Sequence, residues 1–204
     1  KGNTALNVAA VKQLAWYLVE KDITLKYRTR DRQLQFASFC DASHGNDSIS
    51  LRSWFSYVHV WANAAFGGRT KLDTAVCRST KDSEMMAMIA DLASVLGYRF
   101  LLHEIGFVQT DPTTINIDVS AALDQTTSMN MPREQKWNAL RRRWIYEQFK
   151  DELVRAQHCH TSRMLADANT KQHSAAQQQV NAQNLQGHGE ISTFSTVERH
   201  ARKF

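Results

Sequence analysis

Apolar positions recur at helical spacing near the start of the chain. Leu6, Ala10, Leu14, Tyr17 and Leu18 predict an amphipathic helix over residues 4–20. The pattern then changes to period two. Ile23–Arg28 alternates and predicts a strand, and Gln33–Asp41 predicts a second. In the second, Leu34, Phe36 and Cys40 share one face, and Phe39 and Asp41 share the other. The polar cluster Ala42–Asp47 predicts a turn. Leu51–Trp61 is a long β-rich run, Phe66-Gly67-Gly68 is expected to turn the chain, and Leu72–Cys77 predicts a weaker strand. Three strands joined by short turns make an antiparallel meander.

A helix follows, with Ser79 or Thr80 as its cap, Asp82 in its first turn and Met85, Ile89, Leu92 and Leu96 as its apolar stripe. It is expected to run to about His103 and to break at Gly106. Thr113–Asp118 predicts a short strand and Val119–Leu123 a short helix. Arg133–Phe149 predicts a strong helix with Trp137, Leu140, Trp144 and Ile145 on one side. Leu153–Cys159 predicts a strand and Arg163–Lys171 a short helix. The polar remainder from His173 to Phe204 is expected to be tail, mostly disordered or weakly helical. A meander followed by alternating helices and strands implies an α/β domain on a mixed sheet flanked by helices.

Composition narrows the class. With 204 residues, 8 Gly and 2 Pro, the chain can bury a core and is neither collagen-like nor Pro-rich. No run approaches 18 consecutive apolar residues, and no apolar leader follows Lys1-Gly2-Asn3-Thr4, so neither a membrane partner nor a signal peptide is expected. The first residue is not Met, and the chain reads as a fragment or a processed product. Cys40, Cys77 and Cys159 are odd in number and unpaired in spacing, which points to a reducing, intracellular setting, cytoplasmic or nuclear. The net charge of +5 hints at a polyanionic partner. Lys and Arg outnumber Asp and Glu by seven to three over residues 1–32 and by seven to four over 133–155.

Four acids stand where chemistry would want them. Asp41 and Asp118 close predicted strands, Glu84 lies in the first turns of the long helix, and Asp167 lies in the last short helix. In α/β sheets ligands gather at strand ends. Clustered carboxylates suit hard divalent cations, and two such ions can clamp both oxygens of a phosphodiester displacement.

Six segments carry a family resemblance. Ala9–Leu18 followed by Ile23–Tyr27 resembles the end of a reverse transcriptase. Phe39-Cys40-Asp41-Ala42-Ser43, Ser79–Met88, Leu101–Phe107, Pro112–Ala122 and Leu165-Ala166-Asp167-Ala168-Asn169-Thr170-Lys171 then follow in order. Together they resemble the ribonuclease H region that ends the polyprotein of Ty1/copia-type retrotransposons, over about residues 5–172. The resemblance implies a division into 1–31 (end of the reverse transcriptase), 32–172 (ribonuclease-H-like domain) and 173–204 (tail). It implies that Asp41, Glu84, Asp118 and Asp167 are a catalytic, metal-binding tetrad for two Mg²⁺ ions, for which Mn²⁺ can substitute. The partner implied is an RNA·DNA hybrid, whose RNA strand is cleaved, together with the rest of the parent polyprotein. Arg141, Arg142, Arg143 and Lys171 are the expected nucleic-acid contacts.

The chain departs from the family at Val119, where Asn is usual, at Phe39, where a polar residue is usual, and over Glu134–Ile145, which lacks the family's His-Ile-Asp core. These departures leave open a decayed or domesticated module that binds nucleic acid or protein without cutting. Trp54, Trp61, Trp137 and Trp144 lie on apolar stripes, which favours core packing over base stacking. His158-Cys159-His160 has no fourth ligand for zinc. His44, Asp47, Asp82 and Asp91 are secondary candidates for the site.

Overall fold

The computed structural model describes residues 4–21, 23–27, 36–117 and 136–188. Five strands form one sheet in the order β3-β2-β1-β4-β5. β1 (Ala37–Ser43), β2 (Trp54–Trp61) and β3 (Ala64–Leu72) are the antiparallel meander, and β4 (Thr113–Ile117) and β5 (Val154–His158) run parallel to β1. α1 (Thr4–Glu20) precedes the sheet, and α2 (Thr80–Glu104) and α3 (Lys136–Lys150) are the crossover helices. The mixed sheet flanked by helices is the architecture the hydrophobic pattern implies.

Alternation along β1 divides the core in two. Phe36, Cys40 and Ala42 pack with Met85, Met88, Leu92 and Val95 of α2 and Ile145 of α3. Phe39 faces the other way, against Val58, Met164, Leu165 and Ala166. α2 is long and apolar enough by composition to cross a bilayer, but one of its faces is part of the core. Its ends have regular caps. The Ser79 hydroxyl accepts the Asp82 N–H. Gly106, at φ +87°, closes the helix as the N–H groups of Gly106 and Phe107 reach back to the carbonyls of His103 and Leu102.

Several expected elements differ. The chain turns at Ala62-Asn63 (φ 48° and 70°), and Gly67 and Gly68 lie inside β3. Phe66 is the extra residue of a bulge, since His59 pairs with Gly67 and Val60 with Ala65. The glycines report close approach: a Cβ on Gly68 would stand 2.7 Å from the Tyr57 carbonyl oxygen, and one on Gly67 2.7 Å from the Tyr98 hydroxyl. Residues 73–77 are a loop, because the buried Asp73 carboxylate draws in the Thr74 and Ala75 N–H groups and the Cys77 thiol. Residues 23–27 form no strand. The Lys26 N–H donates to the Gln186 carbonyl, and the Tyr27 hydroxyl to that of Ala65.

On α3 the buried face runs through Asn138 and Ile145, with Phe149 partly buried, and Leu140 points to solvent at 79% exposure. Residues 140 and 145 are about 140° apart on a helix, so they cannot share a face. The Arg163–Lys171 segment is two 3₁₀ turns, Thr161–Arg163 and Leu165–Asn169, with bonds from Asp167 to Met164 and from Thr170 to Asp167. The segment read as tail contains α4 (Ala175–Leu185), capped by Ser174, with Asn181 buried and Leu185 against the second core. The helix expected over Val119–Leu123 lies outside the described residues.

Candidate active site

Asp41 lies on β1 with its side chain on the Phe39 face, which the 3₁₀ turn Leu165–Asn169 covers. That turn delivers Asp167, 1% exposed, to the same place. The Lys171 ammonium spans the two acids, 2.7 Å from Asp167 Oδ1 and 3.5 Å from Asp41 Oδ1. The Thr170 hydroxyl donates to Asp41 Oδ2 at 2.5 Å. Asn169 Nδ2 donates to the Ser56 hydroxyl of β2, and His173 Nε2 lies 3.0 Å from the Asp167 carbonyl. The residues just after Asp167 therefore tie the turn to β1 and β2.

Burial raises the Asp41 pKa to about 6. The Thr170 hydroxyl and the Lys171 charge oppose the shift, and the neighbouring Asp167 adds to it. Asp167 Oδ2 is buried with no hydrogen-bond partner among the described residues. Buried carboxylate oxygens with unused acceptor capacity are hard donors of the kind Mg²⁺ takes. This pair fits a divalent cation as part of a larger ligand set.

Glu84 is in the second turn of α2, half-buried, and its charge bears on the Cys40 thiol, one residue before Asp41. Asp118 follows Ile117, which pairs with Cys40, but lies outside the described residues. Among the described residues no three His, Cys, Asp or Glu side chains come together as a metal site. Asp47 is held by Ser50, and Asp82 by Asn138 and Arg78. Asp91 is in the core, and His44 is exposed. In the His158-Cys159-His160 run, Cys159 is buried and both histidines are exposed.

Of the expected nucleic-acid contacts, Lys171 is engaged by the acid pair. Arg143 bonds Glu147 at 2.6 Å and lies over the Tyr146 ring, and Arg142 has a buried Nε. Successive residues fan out by about 100° on a helix, so the arginine run does not make one face. Trp61 packs edge-on against Phe66 and Phe107, as core packing requires. Thr170 was not singled out from the sequence. Its signal was present: Asp167, Thr170 and Lys171 are spaced i, i+3 and i+4, which puts them on one side of a helical turn.

An RNase H1 isolated from compost by a metagenomic approach has a similar structure, with a TM-score of 0.50 over 65% of this chain and 90% of its own. The fold is ribonuclease-H-like. Sequence identity to that protein is 9%. An RNase H1 from the archaeon Halobacterium salinarum gives a TM-score of 0.45 at 13% identity, covering 66% of this chain and 93% of its own. An N-terminal RNase H domain from Mycobacterium tuberculosis, solved as a fusion with maltose-binding protein, gives 0.44 at 12% identity, covering 73% and 96%. No protein-family profile matches the chain, and no curated protein does. In this ribonuclease-H-like sheet Asp41 sits on β1, the central strand, and the 3₁₀ turn sets Asp167 beside it.

Proposed function

We propose that the chain is a divalent-cation-dependent endonuclease that cleaves the RNA strand of an RNA·DNA hybrid, as the ribonuclease H part of a Ty1/copia-type element. One observation carries this reading: two acids 126 residues apart in sequence meet, buried, at the central strand of a ribonuclease-H-like sheet, and one of them keeps an oxygen with no hydrogen-bond partner among the described residues. Asp41 and Asp167 would hold the cation, with Glu84 and Asp118 completing the set by the family resemblance. Two Mg²⁺ ions, or Mn²⁺, supply positive charge for an in-line phosphodiester displacement when bound there. The chain's own residues do the positioning. Thr170 fixes the Asp41 carboxylate, and the Asn169–Ser56 bond fixes the turn that carries Asp167. The basic segments, Arg141 to Arg143 among them, give the positive field a hybrid backbone requires. The setting is intracellular, with the rest of the polyprotein as a partner.

The test is a hybrid labelled separately on each strand. The purified chain is expected to nick the RNA strand with Mg²⁺ or Mn²⁺ and spare the DNA strand. Asp41→Asn and Asp167→Asn should each lose cleavage while the fold is kept. Cleavage that survives both changes contradicts the reading.

A second reading, binding without cleavage, is favoured by one feature. Lys171 already neutralises the pair, and a third acid does not join it among the described residues. That reading predicts hybrid binding with both strands intact.

A further inference from the structure

Two buried carboxylates at one place repel unless a cation lies between them. In this chain the cation is a side chain. Lys171 stands one helical turn after Asp167 and puts its ammonium within 2.7 Å of one acid and 3.5 Å of the other. Its backbone N–H also bonds the Asp167 carbonyl at 3.0 Å, so its base moves with the turn. The acids are nearly sealed, with side-chain exposures of 7% and 1%, but the lysine is 39% exposed. A flexible stem that reaches solvent gives the ammonium a way out, and its charge is a compact point that a metal ion can replace.

We propose that Lys171 is a built-in counter-ion that holds the place a divalent cation takes between Asp41 and Asp167, so that lysine and metal exclude one another there. The inference rests on the proposed reading of this pair as metal ligands. Without metal, Lys171 keeps the acid pair assembled. With metal, the ammonium is driven off, and the affinity for the ion is lowered by that displacement. The site is thereby set to respond to metal concentration.

Mn²⁺ titration by calorimetry, on the full chain without nucleic acid, tests this. The proteins compared are the wild type, Lys171→Met, Lys171→Arg and Asp41→Asn. Lys171→Met is expected to bind Mn²⁺ more tightly by about tenfold or more, because the ion no longer has to break the ammonium–carboxylate pair, worth about 1 kcal/mol or more at about 4 Å. Its melting temperature should fall in EDTA, and the deficit should close in saturating Mn²⁺. Lys171→Arg keeps the charge and should stay close to wild type. Binding by Lys171→Met alone would also support the proposal. If Lys171→Met binds no more tightly while Asp41→Asn loses binding, the lysine proposal falls and the metal reading stands. If Asp41→Asn binds as well as wild type, or if none of the four proteins binds Mn²⁺, the metal reading falls and the lysine proposal with it.

Discussion

Asp91 shows how a single buried group shapes the behaviour of the chain. It is fully enclosed between β1, β2 and α2. Its Oδ1 accepts the Ser38 hydroxyl at 2.5 Å and lies 3.7 Å from His59 Nδ1, and His59 Nε2 meets the Ser94 hydroxyl. Burial raises Asp91 to about 8, against the pull of its Ser38 and Cys40 hydrogen bonds, and lowers His59 to about 4. Between about pH 4 and 8 the unfolded chain gives up the Asp91 proton and the folded chain keeps it, so this group makes stability fall as pH rises. Asp41, raised to about 6, acts in the same direction up to that pH. His59 acts in the opposite direction between about pH 4 and 6.5, where the unfolded chain binds the extra proton. Above about pH 6.5 Asp91 is left unopposed by His59. Urea unfolding of the metal-free protein should therefore show stability declining from about pH 6.5 to 8, and Asp91→Asn should flatten that decline. An unchanged slope in the variant would refute this account of Asp91. None of this was legible in the sequence, because Ser38, His59 and Asp91 meet only once β2 and α2 have packed on β1. Asp41 was legible, since strand alternation already separated it from Cys40.

At the scale of elements, the turn between β2 and β3 is strained. Ala62 and Asn63 both have positive φ, the geometry of a two-residue hairpin that favours Asn-Gly. The double change Ala62→Asn with Asn63→Gly should stabilise the protein by about 0.5–1 kcal/mol, measured by thermal or urea unfolding. A loss of stability would show that the strain is relieved elsewhere. Glycine was the misleading signal here. Gly67 and Gly68 look like a turn in sequence, yet they sit in a strand where the Tyr98 and Tyr57 atoms leave no room for a Cβ. The 3₁₀ turns and α4 were misjudged for a related reason: their order comes from tertiary contacts, and their own pattern is weak. α4 packs Leu185 on the core that holds Met164 and Leu165, next to Asp167. Ending the chain after Gln172 should lower stability by roughly 1 kcal/mol, about half the scale of a fully buried Leu because Leu185 is only partly buried, and weaken Mn²⁺ binding. Wild-type stability and Mn²⁺ affinity in the truncated chain would make α4 a passenger.

For the whole molecule, the hydrophobic pattern carried the architecture because the sheet and its crossover helices are built from strong periodicities. Met85, Leu92 and Ile145 lie in one core where those periodicities require. The candidate site was legible in part. Asp41 and Asp167, two of the four acids the resemblance singled out, come together, but the cation between them and the hydroxyl that fixes Asp41 depend on the 3₁₀ geometry of the last turn. The sheet order puts β1 between an antiparallel and a parallel neighbour, with Asp41 on it and Asp167 brought beside it by the 3₁₀ turn. We propose that this pair makes the molecule a nuclease. The most direct measurement is single-turnover cleavage of a labelled RNA·DNA hybrid by wild type and Asp41→Asn, each in Mg²⁺ and in EDTA. The expected result is RNA nicking by the wild type in Mg²⁺ and none in the other three reactions. Equal cleavage by Asp41→Asn, or an intact RNA strand with folded, metal-loaded wild type, would contradict it.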